Sequence, residues 1–338
     1  MTFELAIGEE VPSAVLERLR SARRILAISH EKPDADTLGA GIAIGLLAER
    51  LGARTDLVCT DQPPPIYAFL PRVDRFRVDP DPGAAYDLLV LSDCASLDRV
   101  GAVGQRHRAN LDRLPRVVID HHASSAAAGD GDWIDPTAAA TCEMVALLAA
   151  ALDVSLDAAD GALATALMAG IVMDTATFAH PNTTPRTLAL AAALVAAGAP
   201  LTDISRRLYR TKPAHQLRLF GLVLAKLEAA TDGRVVWSTL LDADLAATGS
   251  RPADSEGIID LLSQAAEAEV AILFKEAGSA TRVSVRTRPN GVDATVLTGL
   301  FGGGGHARAA GATVDRPITA AMPLVLAAAD RLASAVRR

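Results

Sequence analysis

Short apolar runs alternate with longer amphipathic stretches through the first half of the chain. "RILAISH" reads as a buried strand, and Thr37 to Leu51 carries the apolar spacing of a helix. "TDLVCT", "AYDLLVLSD" and "LPRVVIDHH" are further strand-like runs, with a helical pattern after the second of these. Such alternation predicts a parallel sheet with helices on both faces, and ligands in that architecture bind at the C-terminal ends of strands. From Thr141 to about Ala229 the pattern is mostly helical. "PNTTPRTLALAAALVAAG" opens on turn and cap residues and stops at Gly198, and "KPAHQLRLFGLVLAKLEAA" reads as another helix. After Asp232-Gly233, "RVVWSTL", "EVAILFKEA" and "TRVSVRTR" are strand-like, with helical patterns between and after them. The expected fold is α/β. A mostly parallel N-terminal sheet with helices on both faces occupies 1–190, a helical connection 191–228, and a smaller C-terminal α/β domain 229–338.

Composition narrows this picture. The 338 residues are 50% hydrophobic but only 4% aromatic, which predicts two domains with aliphatic, alanine-rich cores. The net charge of −7 lacks the basic footprint of a protein that grips long nucleic acid, so long duplex nucleic acid is not expected as a partner. Any nucleic-acid substrate should be short, with its charge met at a local site. Cys59, Cys94 and Cys142 are odd in number and widely spaced, which indicates neither a disulfide framework nor a zinc knuckle and fits a reducing cytoplasm. "MTFELAIGEEVPSAVLERLRSARR" lacks the order of a signal peptide, and no uncharged apolar run is long enough to cross a bilayer, so no membrane partner is expected.

Candidate chemistry gathers at the predicted strand ends. His30 ends the first strand, Asp93 the third, and Asp120 and His121 the fourth. "HEKPDAD" adds Asp34 and Asp36, and "GIVMDTATF" adds Asp174. Nitrogen and oxygen donors without a thiolate suit Mn²⁺ or Mg²⁺ better than structural zinc. Two such ions about 3.5–4 Å apart clamp both oxygens of an in-line displacement at phosphorus. The pair needs a carboxylate able to bridge, and Asp93 stands between the others. Each residue also has an ordinary role open to it: Asp36 as a helix cap, Asp93 at a helix start, Asp174 as a buried polar group with a neighbour, the histidines as structural side chains. Together those roles would leave several buried carboxylates unpaired at one sheet edge, which is costly, and a shared cation removes the cost.

"HEKPDAD", "DHH" and "GIVMDT" resemble the motifs of the DHH phosphoesterase superfamily, and "GLFGGGGHARAAGA" resembles the glycine-rich signature of the associated DHHA1 domain. Order, spacing and length are similar to the bacterial oligoribonuclease and pAp phosphatase group, often called nanoRNases. The resemblance implies one metal on His30, Asp34 and Asp93, and a second on Asp36, Asp93, His121 and Asp174. It implies two Mn²⁺, with Mg²⁺ or Co²⁺ as substitutes. Asp120 would orient and charge a neighbouring histidine, and His122 would stabilise the scissile phosphate or protonate the leaving oxygen. Arg286 with Gly303, Gly304, Gly305 and His306 would hold the substrate's terminal phosphate or nucleotide, gripping one end of a short substrate while the other end is cut. Glycines let backbone amides approach an anion, and "TRVSVRTR" is expected to put Arg282, Ser284, Arg286 and Arg288 on one strand face.

The implied activity is release of 5′-mononucleotides from very short RNA, with dephosphorylation of pAp to AMP. A phosphodiesterase for cyclic di-AMP or pApA is the close alternative. A RecJ-type single-strand exonuclease and a non-catalytic nucleotide-binding protein are more distant ones. A cytoplasmic homodimer is implied as well. The chain departs from the relatives' pattern at Ser125, where asparagine is common, at Ala176, where glycine is common, and at Ala179, where a basic residue is common. His107, His180 and His215 lie outside the motifs and are read as surface or structural.

Overall fold

Alternate side chains of the first strand, β1 (Arg24–Ser29), enter different cores. Ile25 and Ala27 pack in one apolar cluster, and Leu26 and Ile28 in another. A strand buried on both faces is what a parallel sheet covered by helices requires. The structure, a computed structural model, describes residues 11–122, 125, 129–230, 232–289 and 291–335. The first ten residues of the segment read for a leader lie outside these. The chain divides into two compact units, Met1–Thr211 and Lys212–Arg338.

The first unit runs α1 (Ser13–Ser21), β1, α2 (Ala35–Arg50), β2 (Arg54–Cys59), β3 (Leu88–Ser92), α3 (Ala102–Leu111), β4 (Arg116–Asp120) and β5 (Asp132–Ile134), then α4 (Thr141–Ala151), α5 (Ala162–Asp174), α6 (Pro185–Ala196) and α7 (Leu201–Tyr209). Its five strands are all parallel in the order β2-β1-β3-β4-β5. Leu97, Val100, Val103 and Leu111 from α3 and its approach cover one face, and residues of α2, α4 and α5 cover the other. The helix expected from Thr37 begins at Ala35. Asp34 caps it, accepting from the amides of Asp36 and Thr37, so the cap role raised for Asp36 belongs to Asp34. The segment expected as a helical connection contains the end of α6 and α7, in the first unit, and the first helix of the second.

The second unit runs α8 (Ala214–Leu224), β6 (Glu228–Ala229), β7 (Val235–Leu240), α9 (Asp242–Thr248), α10 (Ile258–Leu262), β8 (Val270–Ala277), β9 (Ala280–Thr287), α11 (Ala294–Gly299), β10 (Gly304–His306), β11 (Ala309–Val314) and α12 (Ile318–Ala335). Its sheet has the order β10-β11-β9-β8-β7-β6, with β7 and β8 parallel and the other pairs antiparallel. Val283 and Val285 are buried, and Arg282 stands on the opposite face, as the strand period requires. Arg288 lies beyond the end of β9 and donates to the carbonyls of Ala265 and Ala266, so it does not extend that face. α12 is long and apolar enough to cross a membrane by length and composition, although it carries Asp330 and Arg331. Its Ala321, Val325, Ala328, Ala329 and Ala333 form one face that joins the apolar cluster of the second sheet.

Candidate metal centre

Four segments of the first unit bring His30, Asp34, Asp36, Asp93, His121 and Asp174 together. Three groupings of donor atoms lie within 4.8 Å of one another: His30 with Asp34 and Asp93, Asp36 with His121 and Asp174, and Asp93 with His121 and His122. β1 delivers His30 at its end, the N-terminus of α2 delivers Asp34 and Asp36, β3 delivers Asp93, β4 leads into His121, and the last residue of α5 is Asp174. Gly170 lies one turn before Asp174, and a Cβ there would collide with Asp36 Oδ1 and Cys142 Sγ. The α5 backbone therefore comes as close to Asp36 as it can. Asp93 adopts the left-handed backbone region at φ 64°. Aspartate tolerates that region better than most residues, and strain of this kind clusters at functional sites.

The histidine tautomers follow from their backbone partners. His30 Nδ1 donates to the Glu31 carbonyl at 2.7 Å, and His121 Nδ1 donates to the Ala138 carbonyl at 3.3 Å. Each Nε2 is then the basic nitrogen, and each faces carboxylates. His30 Nε2 is 3.2 Å from Asp93 Oδ2 and 3.9 Å from Asp34 Oδ2. His121 Nε2 is 2.9 Å from Asp174 Oδ2, 3.6 Å from Asp93 Oδ1 and 4.0 Å from Asp36 Oδ2. Yet this buried nitrogen makes no aligned hydrogen bond among the described residues. A close, misaligned nitrogen and oxygen is the arrangement of two ligands converging on a third body rather than on each other. Asp93 divides between the groups, with Oδ2 toward His30 and Oδ1 toward His121.

The charge balance makes the same point. Asp36 is 0% and Asp93 2% exposed. Burial, then the charge of Asp36, pushes Asp93 up to about 6. Burial, then the charge of Asp174, raises Asp36, and burial also raises Asp174. Burial opposes protonation of His30, but the Asp93 contact and the Asp34 charge outweigh it and hold the imidazole at about 9. Burial likewise opposes protonation of His121, and Asp174 and Asp36 carry it up to about 10. Four carboxylates facing two imidazoles hold protons that a divalent cation would displace. The donor set fits hard divalent cations, and the histidines already have the backbone partners that ligating imidazoles commonly use.

Asp120 is fully buried and serves His122. Its Oδ1 accepts from His122 Nδ1 at 2.7 Å and from the His122 amide at 3.1 Å, and its Oδ2 accepts from Ser125 Oγ at 2.5 Å. The Asp120 contact raises His122 despite burial, while the same contact and that of Ser125 hold Asp120 low against its own burial. Ser125, noted above only as a departure, is thus the second clamp on Asp120. Sequence reasoning also missed Thr141, which donates to Asp93 Oδ1 at 3.1 Å. His180, set aside as structural, donates from Nδ1 to the Asp174 carbonyl at 3.0 Å. His107 pairs with Asp79 and His215 with Asp254.

In the second unit, Arg286 is engaged by Asp260 at 2.8 Å. Gly304, Gly305 and His306 form the exposed edge strand β10. Gly303 and Gly305 are forced by the close approach of β11: a Cβ on either would collide with the backbone at Gly311 or Ala309. The ladder aligns His306 with Ala309 and Ala309 with Arg286, so His306 and Arg286 share a row two strands apart. A cleft of about 700 Å³ is lined by Lys275, Arg282, Ser284, Ser255 and Gly303. Of the residues expected to bind substrate, only Gly303 lines it.

Residues 24–171 match the DHH family, N-terminal domain, and residues 233–335 match the DHHA1 domain. A Thermus thermophilus protein named bifunctional oligoribonuclease and PAP phosphatase NrnA is 31% identical over 294 residues, covering 86% of this chain and 84% of its own. A Bacillus subtilis protein of the same name is 25% identical over 300 residues, covering 86% and 89%. The crystal structure of an exopolyphosphatase-related protein from Bacteroides fragilis shares the fold, with a TM-score of 0.84 at 19% identity over 96% of each chain.

Proposed function

This chain belongs to the DHH family of phosphoesterases, and from that premise we propose that it is a two-metal hydrolase of short oligoribonucleotides that also dephosphorylates pAp. The relatives named above carry those two activities in their names. The observation that carries the reading is the division of Asp93, with one oxygen toward His30 and the other toward His121. His30, Asp34 and Asp93 would hold one ion, and Asp36, Asp93, His121 and Asp174 the other. Mn²⁺ suits these donors, with Mg²⁺ or Co²⁺ as substitutes. When bound, the pair supplies Lewis acidity at the phosphoryl oxygens and lowers the pKa of water.

The chain's own contribution is orientation and proton traffic. Asp120 fixes the Nδ1–H of His122 and favours the imidazolium, which leaves Nε2–H to donate to the departing oxygen. Ser125 in turn holds Asp120. In the second unit, Arg286 and the Gly303–His306 segment bind the nucleotide phosphate, with Arg286 exchanging Asp260 for substrate. The reading takes the protein as a cytoplasmic homodimer, and the exposed Leu188 and Val195, seven residues apart on α6, support an apolar contact there.

A Mn²⁺ assay on pAp, pApA, cyclic di-AMP and a long single-stranded RNA tests the reading. Turnover of pAp and pApA, with little on the long RNA, is expected. Efficient digestion of the long RNA, or turnover confined to cyclic di-AMP, would overturn it.

A further inference from the structure

Helix α4 opens at Thr141 with Ala140 in the capping place and no side chain of its own segment as a cap. Its first two amides donate instead to Asp36: Thr141 N to Oδ2 at 2.7 Å, and Cys142 N to Oδ1 at 2.9 Å. The Thr141 hydroxyl donates to Asp93 Oδ1 at 3.1 Å. One buried turn therefore grips two carboxylates that arrive from α2 and from the end of β3. Thr141 is fully buried, so water does not stand in for its hydroxyl.

The turn is itself anchored. Glu143, also fully buried, accepts from Arg186 Nε at 2.6 Å and from Thr187 Oγ1 at 2.7 Å. Arg186 continues to Asp135 at 3.1 Å. The chain of contacts runs from the start of α6, through α4, to the acidic cluster. Amides at a helix start favour an anion, and a carboxylate oxygen that accepts one hydrogen bond keeps a second lone pair for a cation. The Thr141 hydroxyl bonds the Asp93 oxygen that faces His121, while the other oxygen faces His30, so this bond bears on the rotation of the carboxylate.

We propose that Thr141 is a positioning residue for the metal centre, setting how Asp93 is shared between the two cations, with the Glu143–Arg186 pair holding α4 in place. This rests on the two-metal reading above. The test is a Mn²⁺ titration by calorimetry on the full chain, with the metal-free melting temperature measured alongside. Thr141→Val removes the hydroxyl and keeps the amides. It is expected to weaken Mn²⁺ binding by about 10–100-fold, the usual cost of losing a group that orients a ligand. Thr141→Ser is expected to restore the wild-type affinity. Arg186→Gln is expected to weaken binding in the same direction by a smaller factor, and Thr141→Ala carries the main expectation if Thr141→Val does not fold. Equal Mn²⁺ affinity in wild type and variant, with only the metal-free melting temperature lowered, overturns the proposal and leaves Thr141 as packing. A wild type that takes up no Mn²⁺ overturns the two-metal reading itself, which is a separate result.

Discussion

The two units treat charge in opposite ways. In the first, carboxylates sit at the C-terminal edge of a parallel sheet packed on both faces, with Asp36 and Asp120 shut off from solvent and held by two and three donors. In the second, the arginine-bearing face of β9 is partly open and the glycine strand β10 is exposed, and among the described residues Arg286 is held by the exposed Asp260 and by the neighbouring Val285 carbonyl. Buried, multiply bonded charges are fixed in place and are costly to leave uncompensated. Exposed pairs exchange partners at little cost and weaken with salt. Under the proposed function, the first arrangement serves the rigid metal centre and the second a site that takes up and releases a phosphate.

The sharpest break between the units is by substitution. Asp93→Asn removes the charge shared by both groupings. It is expected to lower kcat/KM by about a thousandfold or more, since metal-assisted charge stabilisation contributes several kcal/mol, and to abolish Mn²⁺ uptake. Arg286→Ala is expected to raise KM for pApA by about 10–100-fold, the worth of a charged hydrogen bond, and to leave Mn²⁺ uptake unchanged. Steady-state kinetics with paired metal titrations check both. A metal defect in the arginine variant would erase the distinction drawn here.

Acidity gives the next contrast. His30 and His121 are raised in the folded chain to about 9 and about 10, so their stabilisation is complete below the unfolded value near 6.5 and is lost as pH climbs through 9–10. Asp93, raised to about 6, acts in the same sense at lower pH. The metal-free protein should therefore melt at a lower temperature at pH 8 than at pH 6. Mn²⁺ competes for the same sites, so the rise in melting temperature on adding it should be larger at pH 8. A rise that shrinks with pH would place the cation elsewhere. The smallest effect concerns Ala176, which sits at φ 48°, followed by Thr177 and Phe178 also in the left-handed region. Ala176→Gly should stabilise the fold by up to about 1 kcal/mol in denaturant melts, because glycine meets no steric penalty there.

Much of this was legible from side-chain pattern. Strand ends, the aliphatic alternation and the clustered donors carry periodicity or chemistry in the letters themselves. The three-residue β5 was missed because so short a strand has no period to read. The hold on Asp36 was missed for a different reason: it comes from backbone amides of Thr141 and Cys142, more than a hundred residues away, and amides are the same in every residue but proline. Ser125 and Ala176 looked like departures. The structure gives Ser125 a partner in Asp120, and it places Ala176 at a positive φ that glycine adopts without steric penalty.

Anomalous diffraction from crystals grown with Mn²⁺ tests the central claim most directly. The account predicts two peaks in the first unit, about 3.5–4 Å apart, with Asp93 between them, His30 and Asp34 on one, and Asp36, His121 and Asp174 on the other. A single peak that excludes Asp93, or none at this cluster, would contradict it.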